Sequence, residues 1–398
     1  MSNYIIVGCD MSDRSMVLQL AHQENSPRKK AFSNDDSGRF RMIHYLHDQA
    51  GKAGGADIVF AYEAGPHGFG LHDVLTEHAI TCHVLAPSKM PSSPKKRGNK
   101  TDEKDALDIF EALRGHLLAG NRLPSVWIPD PRTRQDREIV RARLDVGDKA
   151  RRVRTQIRML LKRAEVRKPK TLATNWTAKH LAWLRGLTGS ASPLGDGSRL
   201  MLASLLRQLA WLDEETATLD AGVATLVREE RYRSKAAALQ EEIGVGLVTT
   251  MVFLTEMGDL SRFSNRRQIA AYLGLAPRSD ETGRRSDCKG HITRQGSARI
   301  RWALCQAAWV RVRNHPGEKA FYDQIVTRNP KKKKIALVAC MRRLGIQLWH
   351  DGMETERSAR TAPPSRPPRG GKRQFALPAP RRRHRRRSPE VEERRRAV

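Results

Sequence analysis

Apolar positions in the first 130 residues come in short runs separated by polar turns. Residues 4–9, YIIVGC, form one such run ending at Asp10, the pattern of a strand buried on both faces. SMVLQLAH, 15–22, follows the polar turn MSDR and predicts its hairpin partner. A helix is expected over 37–50, with Phe40, Ile43 and Leu46 on one side. ADIVFAYEAG, 56–65, predicts a second buried strand carrying Glu63 near its end, and TCHVLAP, 81–87, a third. Between them GLHDVLTEHA reads as a helix, and SVWIP, 125–129, as a last short strand. An opening hairpin followed by alternating strands and helices predicts an α/β fold.

The pattern changes after Pro131. Arg132 to Arg163 is a heavily charged helix pattern without proline, with Ile139, Leu144, Val153, Ile157, Leu160 and Leu161 as its stripe. A second long helix is expected from Arg199 to Glu230. Together they predict a helical bundle or a coiled-coil arm that joins subunits or lays cations along a duplex. From Glu241 onward, IGVG separates helical segments and fits either a helix–hairpin–helix turn or a plain interhelical turn. RRQIAAYLGLAP then predicts a helix, followed by a long polar loop and the helices IRWALCQAAWVRVR and IALVACMRRLGIQLW.

One stretch carries candidate chemistry. KRGNKTDEKDALDIFEAL, 96–113, is an amphipathic helix pattern whose first turn holds Asp102 and Asp105, three apart and so on one face. That face continues through Ile109 and Leu113. Two readings fit the pair. Acids in a first turn favour the helix dipole, with Thr101 as N-cap. Alternatively the pair holds a divalent metal together with Asp10 and Glu63, which close two of the predicted strands. Sites of open α/β sheets gather at the carboxyl ends of strands. Four converging carboxylates repel one another without a cation, and Mg²⁺ takes hard oxygen ligands while keeping waters for a phosphate.

Charge narrows the partner. The 398 residues contain 73 Lys and Arg against 43 Asp and Glu, a formal net charge of +30. Such an excess predicts a polyanion. There is no apolar run of transmembrane length and no signal-peptide pattern, so nucleic acid in the cytoplasm is expected rather than a membrane. A third of the excess, +10, lies in 354–398, a Pro/Arg-rich stretch with too little apolar material to fold. The five cysteines form no CxxC pair, which excludes a zinc finger and a disulfide framework, and Cys9 fits a small buried hydrophobe.

Candidate nucleic-acid contacts are Lys95, Lys96 and Arg97 in the loop SSPKKRGNK, and Arg294, Arg299 and Arg301 around Gly296. Lys331, Lys332, Lys333 and Lys334 follow Pro330 at a helix start, the wrong end for cations. A bound phosphate offsets that cost. A solvated lysine run fits as well, since each mispairing costs only about 0.3–1 kcal/mol.

Asp10 in IIVGCDMSDRS, Glu63 in AYEAGPHG, and Asp102 with Asp105 in KTDEKDA resemble the four acids of DEDD transposases. These are the Piv-invertase-related recombinases of the insertion-sequence family numbered one hundred and ten. QIAAYLGLAPRSDETGRRSDCKGHITRQGSARIRWAL is similar to that family's second domain. The resemblance covers about residues 4–353. It implies an RNase H/RuvC-like catalytic domain over 1–130, a helical, coiled-coil-like linker over 131–240, and a mostly helical transposase domain over 241–353. Residues 354–398 are then a disordered basic tail. It further implies Mg²⁺ on the four acids, donor and target double-stranded DNA, a non-coding bridge RNA pairing with both, and a dimer or tetramer at the nucleoid. In that assembly the acids of one subunit meet the hydroxyl nucleophile of another.

The family motif GLxPxxxxSG reads GLAPRSDETG here, so Thr282 stands where the family has serine, with Ser279 and Ser286 nearby but out of register. Threonine keeps the hydroxyl, but its β-methyl restricts χ1 and crowds attack at phosphorus. Two rival readings remain: a RuvC-like junction nuclease with water as nucleophile, and a non-catalytic nucleic-acid-binding descendant of a transposase.

Overall fold

The computed structural model describes residues 3–90, 101–279, 289–328 and 330–361. The chain divides into two compact units, residues 1–139 and 140–398.

The first unit is a five-stranded sheet of order β3-β2-β1-β4-β5. Strand β1 (Tyr4–Met11) pairs antiparallel with β2 (Ser15–His22), and β2 antiparallel with β3 (Arg28–Ser33). On its other side β1 runs parallel to β4 (Asp57–Glu63), which runs parallel to β5 (Thr81–Leu85). Side chains alternate across the sheet. Ile5, Val7 and Cys9 pack with Ile58, Phe60 and Tyr62 against helices α1 (Asp36–Lys52) and α2 (Gly70–Glu77). Ile6, Val59 and Ala61 face the opposite way, against Ile109, Phe110 and Leu113 of α3 (Asp102–Ala119). This three-layer α/β arrangement matches the expected class.

Three details differ from the pattern reading. Strand β3 was not expected: RKKAFS shows no apolar alternation because it is an exposed edge strand, where lysines discourage further pairing. SVWIP makes only one isolated bridge, Leu85 to Ser125, and Pro124 and Pro129 around it lack the N–H a ladder needs. On α1, Ile43 and Leu46 are buried as expected, but Phe40 is 57% exposed and lies beside His44.

Long helices open the second unit. Helix α4 (Pro131–Arg163), most of which belongs there, and α6 (Asp196–Arg228) are each 33 residues, about 50 Å at 1.5 Å per residue. They run antiparallel, because Arg143 pairs with Asp220 at 2.6 Å while Arg154, further along α4, pairs with the earlier Asp213 at 2.8 Å. Their leucine-rich seam includes Ile157, Leu160, Leu202, Leu205 and Leu209, with α5 (Ala178–Gly186) adding Leu184.

Beyond them lie α7 (Glu230–Glu241), α8 (Leu247–Met257), α9 (Arg266–Tyr272), the short antiparallel pair β6 (Pro277–Ser279) and β7 (Lys289–Ile292), α10 (Ala298–Asn314), α11 (Pro316–Arg328) and α12 (Lys333–Thr361). Helix α8 is central, with Thr250 through Met257 all buried. Its one acid, Glu256, is held by Arg141 through two hydrogen bonds of 2.8 and 3.2 Å. Helix α12 continues through 353, where composition placed a boundary, to Thr361; Glu356 in this extension pairs with Lys235 of α7. Among the described residues no helix is long and apolar enough to cross a membrane.

Gly8 is the tightest point of the first unit. A Cβ there would lie 2.3 Å from the backbone nitrogen of Phe110 and 2.6 Å from the carbonyl oxygen of Ala106. Gly8→Ala must therefore push α3 away or strain β1, and should cost about 1–3 kcal/mol, the range for overpacking. Gly51→Ala, where a Cβ meets nothing within 4 Å, should be neutral or slightly stabilising in α1. Thermal melts followed by circular dichroism compare the two; equal melting temperatures would contradict the packing argument.

Candidate active site

The last paired residues of β1 and β4 are Cys9 and Tyr62, so Asp10 and Glu63 occupy the next rung of adjacent parallel strands, about 4.8 Å apart along the sheet. Alternation puts both on the face that α3 covers, since Ile6 and Gly8 precede Asp10 on that face and Val59 and Ala61 precede Glu63. Contact at Gly8 fixes Ala106 against β1, and Asp102 and Asp105 lie in the turn just before it. Thr101 caps this helix, its hydroxyl accepting the Lys104 N–H as expected. Asp10, Glu63 and Asp105 are half-buried, while Asp102 is exposed. All four acids thus belong to two strand ends and one helix start on one side of one sheet.

Among the described residues, no three His, Cys, Asp or Glu side chains are gathered closely enough to hold a metal ion. The neighbouring thiol is no nucleophile. Cys9 is fully buried, and burial together with the charge of Asp10 pushes its thiol far above the usual range.

Several supports escaped the sequence reading. Lys29 on the unexpected β3 reaches Glu103 at 2.5 Å, tying the first turn of α3 to the sheet. Asp13 in the β1–β2 turn comes within 3.5 Å of His67 in the loop after β4, so the two loops beyond Asp10 and Glu63 meet. That loop is braced further by Arg134, which donates to Asp73 at 2.8 Å and lies over the Phe69 ring at 5.5 Å. Burial opposes the charge of Asp73, yet Arg134 and His72 bring its carboxyl below the usual range. None of these pairs follows a sequence spacing; each needs the sheet to be folded.

Residues 280–288 lie outside the described part, so Thr282 and Ser286 have no described position, nor do Lys95, Lys96 and Arg97. The base of the β6–β7 pair is described. Gly274 and Gly296 have φ of 67° and 80°, and a Cβ on either would meet a backbone oxygen at 2.1 Å. Arg301 binds this crossing together, donating to the carbonyls of Leu273, Gln295 and Gly296 at 3.1–3.4 Å. Arg299 pairs with Asp145 at 3.2 Å. Of these three arginines, Arg294 is the exposed one, and Lys331, Lys333 and Lys334 are also exposed. The side chain of Lys332 is not among those described.

Two family models match the chain. One, described as a transposase of the DEDD type, covers residues 7–165 and so all four acids. The other, described as the transposase IS116/IS110/IS902 family, covers 236–323 and so Thr282 and the glycine crossing. The chain belongs to the IS110 transposase family.

Relatives agree. The Sinorhizobium fredii protein y4qE, which carries the name transposase, is 32% identical over 63% of this chain and 58% of its own length. Protein y4rJ of the same organism, likewise named, is 29% identical over 72% of this chain and 75% of its own. An insertion element IS110 protein of Streptomyces coelicolor is 24% identical over 83% and 87%. This IS110-family chain therefore spans little more than half of the first of these relatives and most of the third.

The Asp73–Arg134 pair carries a pH signature. A depressed carboxyl stabilises the fold above the unfolded pKa of about 3.9, and loses that contribution as pH falls through the lower folded value. Arg134→Met should lower the melting temperature at pH 7 by about 2–4 °C, taking ~1 kcal/mol for a largely buried pair. The gap from wild type should narrow below pH 4. A gap unchanged between pH 7 and pH 3 would mean Arg134 acts by packing alone.

Proposed function

We propose that this chain is a DNA transposase and site-specific recombinase of an insertion sequence, which cuts and exchanges strands through a hydroxyl nucleophile and is guided by a bridge RNA. The observation that supports it most is the placement of Asp10 and Glu63 at adjacent strand ends on the α3 face, with Asp102 and Asp105 opening that helix. An RNase H/RuvC-like first unit and a coiled-coil-like arm built from α4 and α6 belong to the same proposal.

The donor set fits Mg²⁺. All four candidates are carboxylates, hard oxygen ligands, and neither cysteine nor histidine is needed. When bound, Mg²⁺ neutralises the acids and supplies positive charge at the scissile phosphate. Asp10, Glu63, Asp102 and Asp105 would hold it. Oγ1 of Thr282 gives up its proton and forms a bond to phosphorus, while the bond from phosphorus to the deoxyribose oxygen breaks and that oxygen takes up a proton. The DNA end is then held covalently until another DNA hydroxyl displaces it. Lys95, Lys96, Arg97, Arg294, Lys331, Lys332, Lys333 and Lys334 contact phosphates of DNA or RNA, with Arg299 and Arg301 shaping that surface. The working form is a homo-oligomer at the nucleoid.

Asp10→Asn and Asp102→Asn should each abolish strand exchange, by at least 100-fold, while duplex binding persists or strengthens as repulsion from phosphate falls. Full recombination by either in Mg²⁺ would refute the metal assignment. Thr282→Ala should remove the covalent protein–DNA adduct, and Thr282→Ser should keep or raise activity. Mass spectrometry of the trapped adduct identifies the attached residue. Attachment through Ser279 or Ser286 would shift the register; cleavage with no adduct in any variant favours the nuclease reading; an adduct only in Thr282→Ser marks a disabled recombinase.

Affinity for duplex DNA should fall steeply with salt, by a slope of about −0.9 per neutralised phosphate. Deleting 362–398 should flatten that slope yet leave recombination measurable. Sequencing of co-purifying RNA tests the guide: recovery of random cellular RNA alone would remove it from the proposal.

A further inference from the structure

The antiparallel helical arm carries a site that neither the acids nor the hairpin use. Between the end of α4 and the start of α5 lies a cleft of about 610 Å³, within the usual span of ligand pockets. Its floor is aromatic. Trp176 and Trp183 flank His180, with ring centroids 5.3 and 5.5 Å from the imidazole. Four cations, Arg158, Lys162, Arg167 and Lys168, line the cleft against one acid, Glu165.

Two features show that this floor is held in place. His180 is only 4% exposed, and its Nδ1 accepts the backbone N–H of Trp176 at 3.1 Å. Burial, then the nearby charge of Lys168, pull the imidazole below its usual pKa, so the ring is neutral and stays an acceptor. Trp176 itself has φ of 64°, a left-handed backbone that a bulky residue adopts at a cost. The hydrogen bond that the Trp176 N–H donates to His180 holds this strained backbone in place, and the Trp176 side chain lines the cleft. Trp176 and Arg158 also line a second cavity of about 360 Å³, which Trp302 shares. Trp176 and Trp183 each pack one side against the leucine seam and remain half-exposed where they border the open volume.

Flat aromatic faces beside lysine and arginine suit a base with its phosphates. Every base has a π-face to stack, and cations along the same groove take the backbone. A duplex keeps its bases stacked on one another and cannot offer one. An acidic peptide would use the cations but bring no flat ring to the exposed parts of the indoles. We propose that this cleft binds an unpaired nucleobase and its flanking phosphates, from a single strand of RNA or DNA. The proposal rests on the nucleic-acid-binding part of the reading above and is independent of its metal and nucleophile.

The test uses the full-length protein with labelled oligouridine RNA, oligothymidine DNA and duplex DNA, followed by fluorescence anisotropy. Trp176→Ala should weaken single-strand binding about tenfold, the loss expected for one stacked base, and leave duplex binding unchanged. Trp176→Phe should retain most of the affinity. Arg158→Gln should instead reduce the salt slope by about 0.7, one phosphate of a single strand. Loss confined to RNA or to DNA tells which strand the cleft takes. Equal loss on duplex and single strands, or no loss on either, overturns the site while leaving the transposase reading intact. Binding of no nucleic acid by wild type overturns both. Should Trp176→Ala misfold, photocrosslinking of 4-thiouridine RNA to the wild type decides. Crosslinks on the peptide carrying Trp176 or Trp183 support the cleft, and crosslinks confined elsewhere overturn it.

Discussion

The backbone of α3 lies directly on the backbone of β1, and Gly8 is what permits it. Any side chain at that position would overlap the Phe110 nitrogen and the Ala106 carbonyl. The contact sets the height of the helix above the sheet, and the height decides whether acids in its first turn share a space with acids at the strand ends. Ile109, Phe110 and Leu113 fill the rest of the interface with Ile6, Val59 and Ala61. Their burial holds the helix down, while Lys29 and Glu103 tie its start. Packing of this kind sets where the strand-end acids and the first-turn acids lie.

A similar economy of backbone governs the base of β6 and β7. Gly274 and Gly296 both have left-handed φ, and each passes within van der Waals reach of the other segment's backbone oxygens. Arg301 answers three of the carbonyls that the crossing leaves exposed to one another. A guanidinium read from sequence as a phosphate ligand is thus bound up in the protein's own main chain. Arg299 is similarly occupied by Asp145. Arg294 and the lysines at the start of α12 keep their exposure, and with it the capacity to meet an external phosphate.

The helix pair α4 and α6 obeys a different logic. Charge is abundant on α4, yet its antiparallel register with α6 is carried by leucines, with Arg143–Asp220 and Arg154–Asp213 as selective pairs along the seam. Surface pairs of this type add little stability, but mispaired alternatives would bring like charges together. Arg158, Lys162 and Arg167, outside those pairs, line the cleft that the two half-exposed tryptophans border.

Periodicity alone determined much. Strands β1, β2, β4 and β5 and helices α1 through α4, α6, α10 and α12 follow from where apolar residues recur, because those elements bury a face. The two acids at the ends of buried runs and the two in a helix's first turn were legible for the same reason. What only the tertiary structure decided is whatever depends on a partner distant in sequence. Edge strand β3 buries no face, so its lysines concealed it until Glu103 and β2 supplied partners. Hairpin strands β6 and β7 are three and four residues long, too short for a period to show. Arg301 was legible as a cation, but the carbonyls it reaches belong to segments that only the fold brings together. Trp176, His180 and Trp183 stand four and three residues apart, a spacing that does not tell which volume they border. Their use as a floor follows from the left-handed turn at Trp176, a backbone conformation no local preference of tryptophan would select.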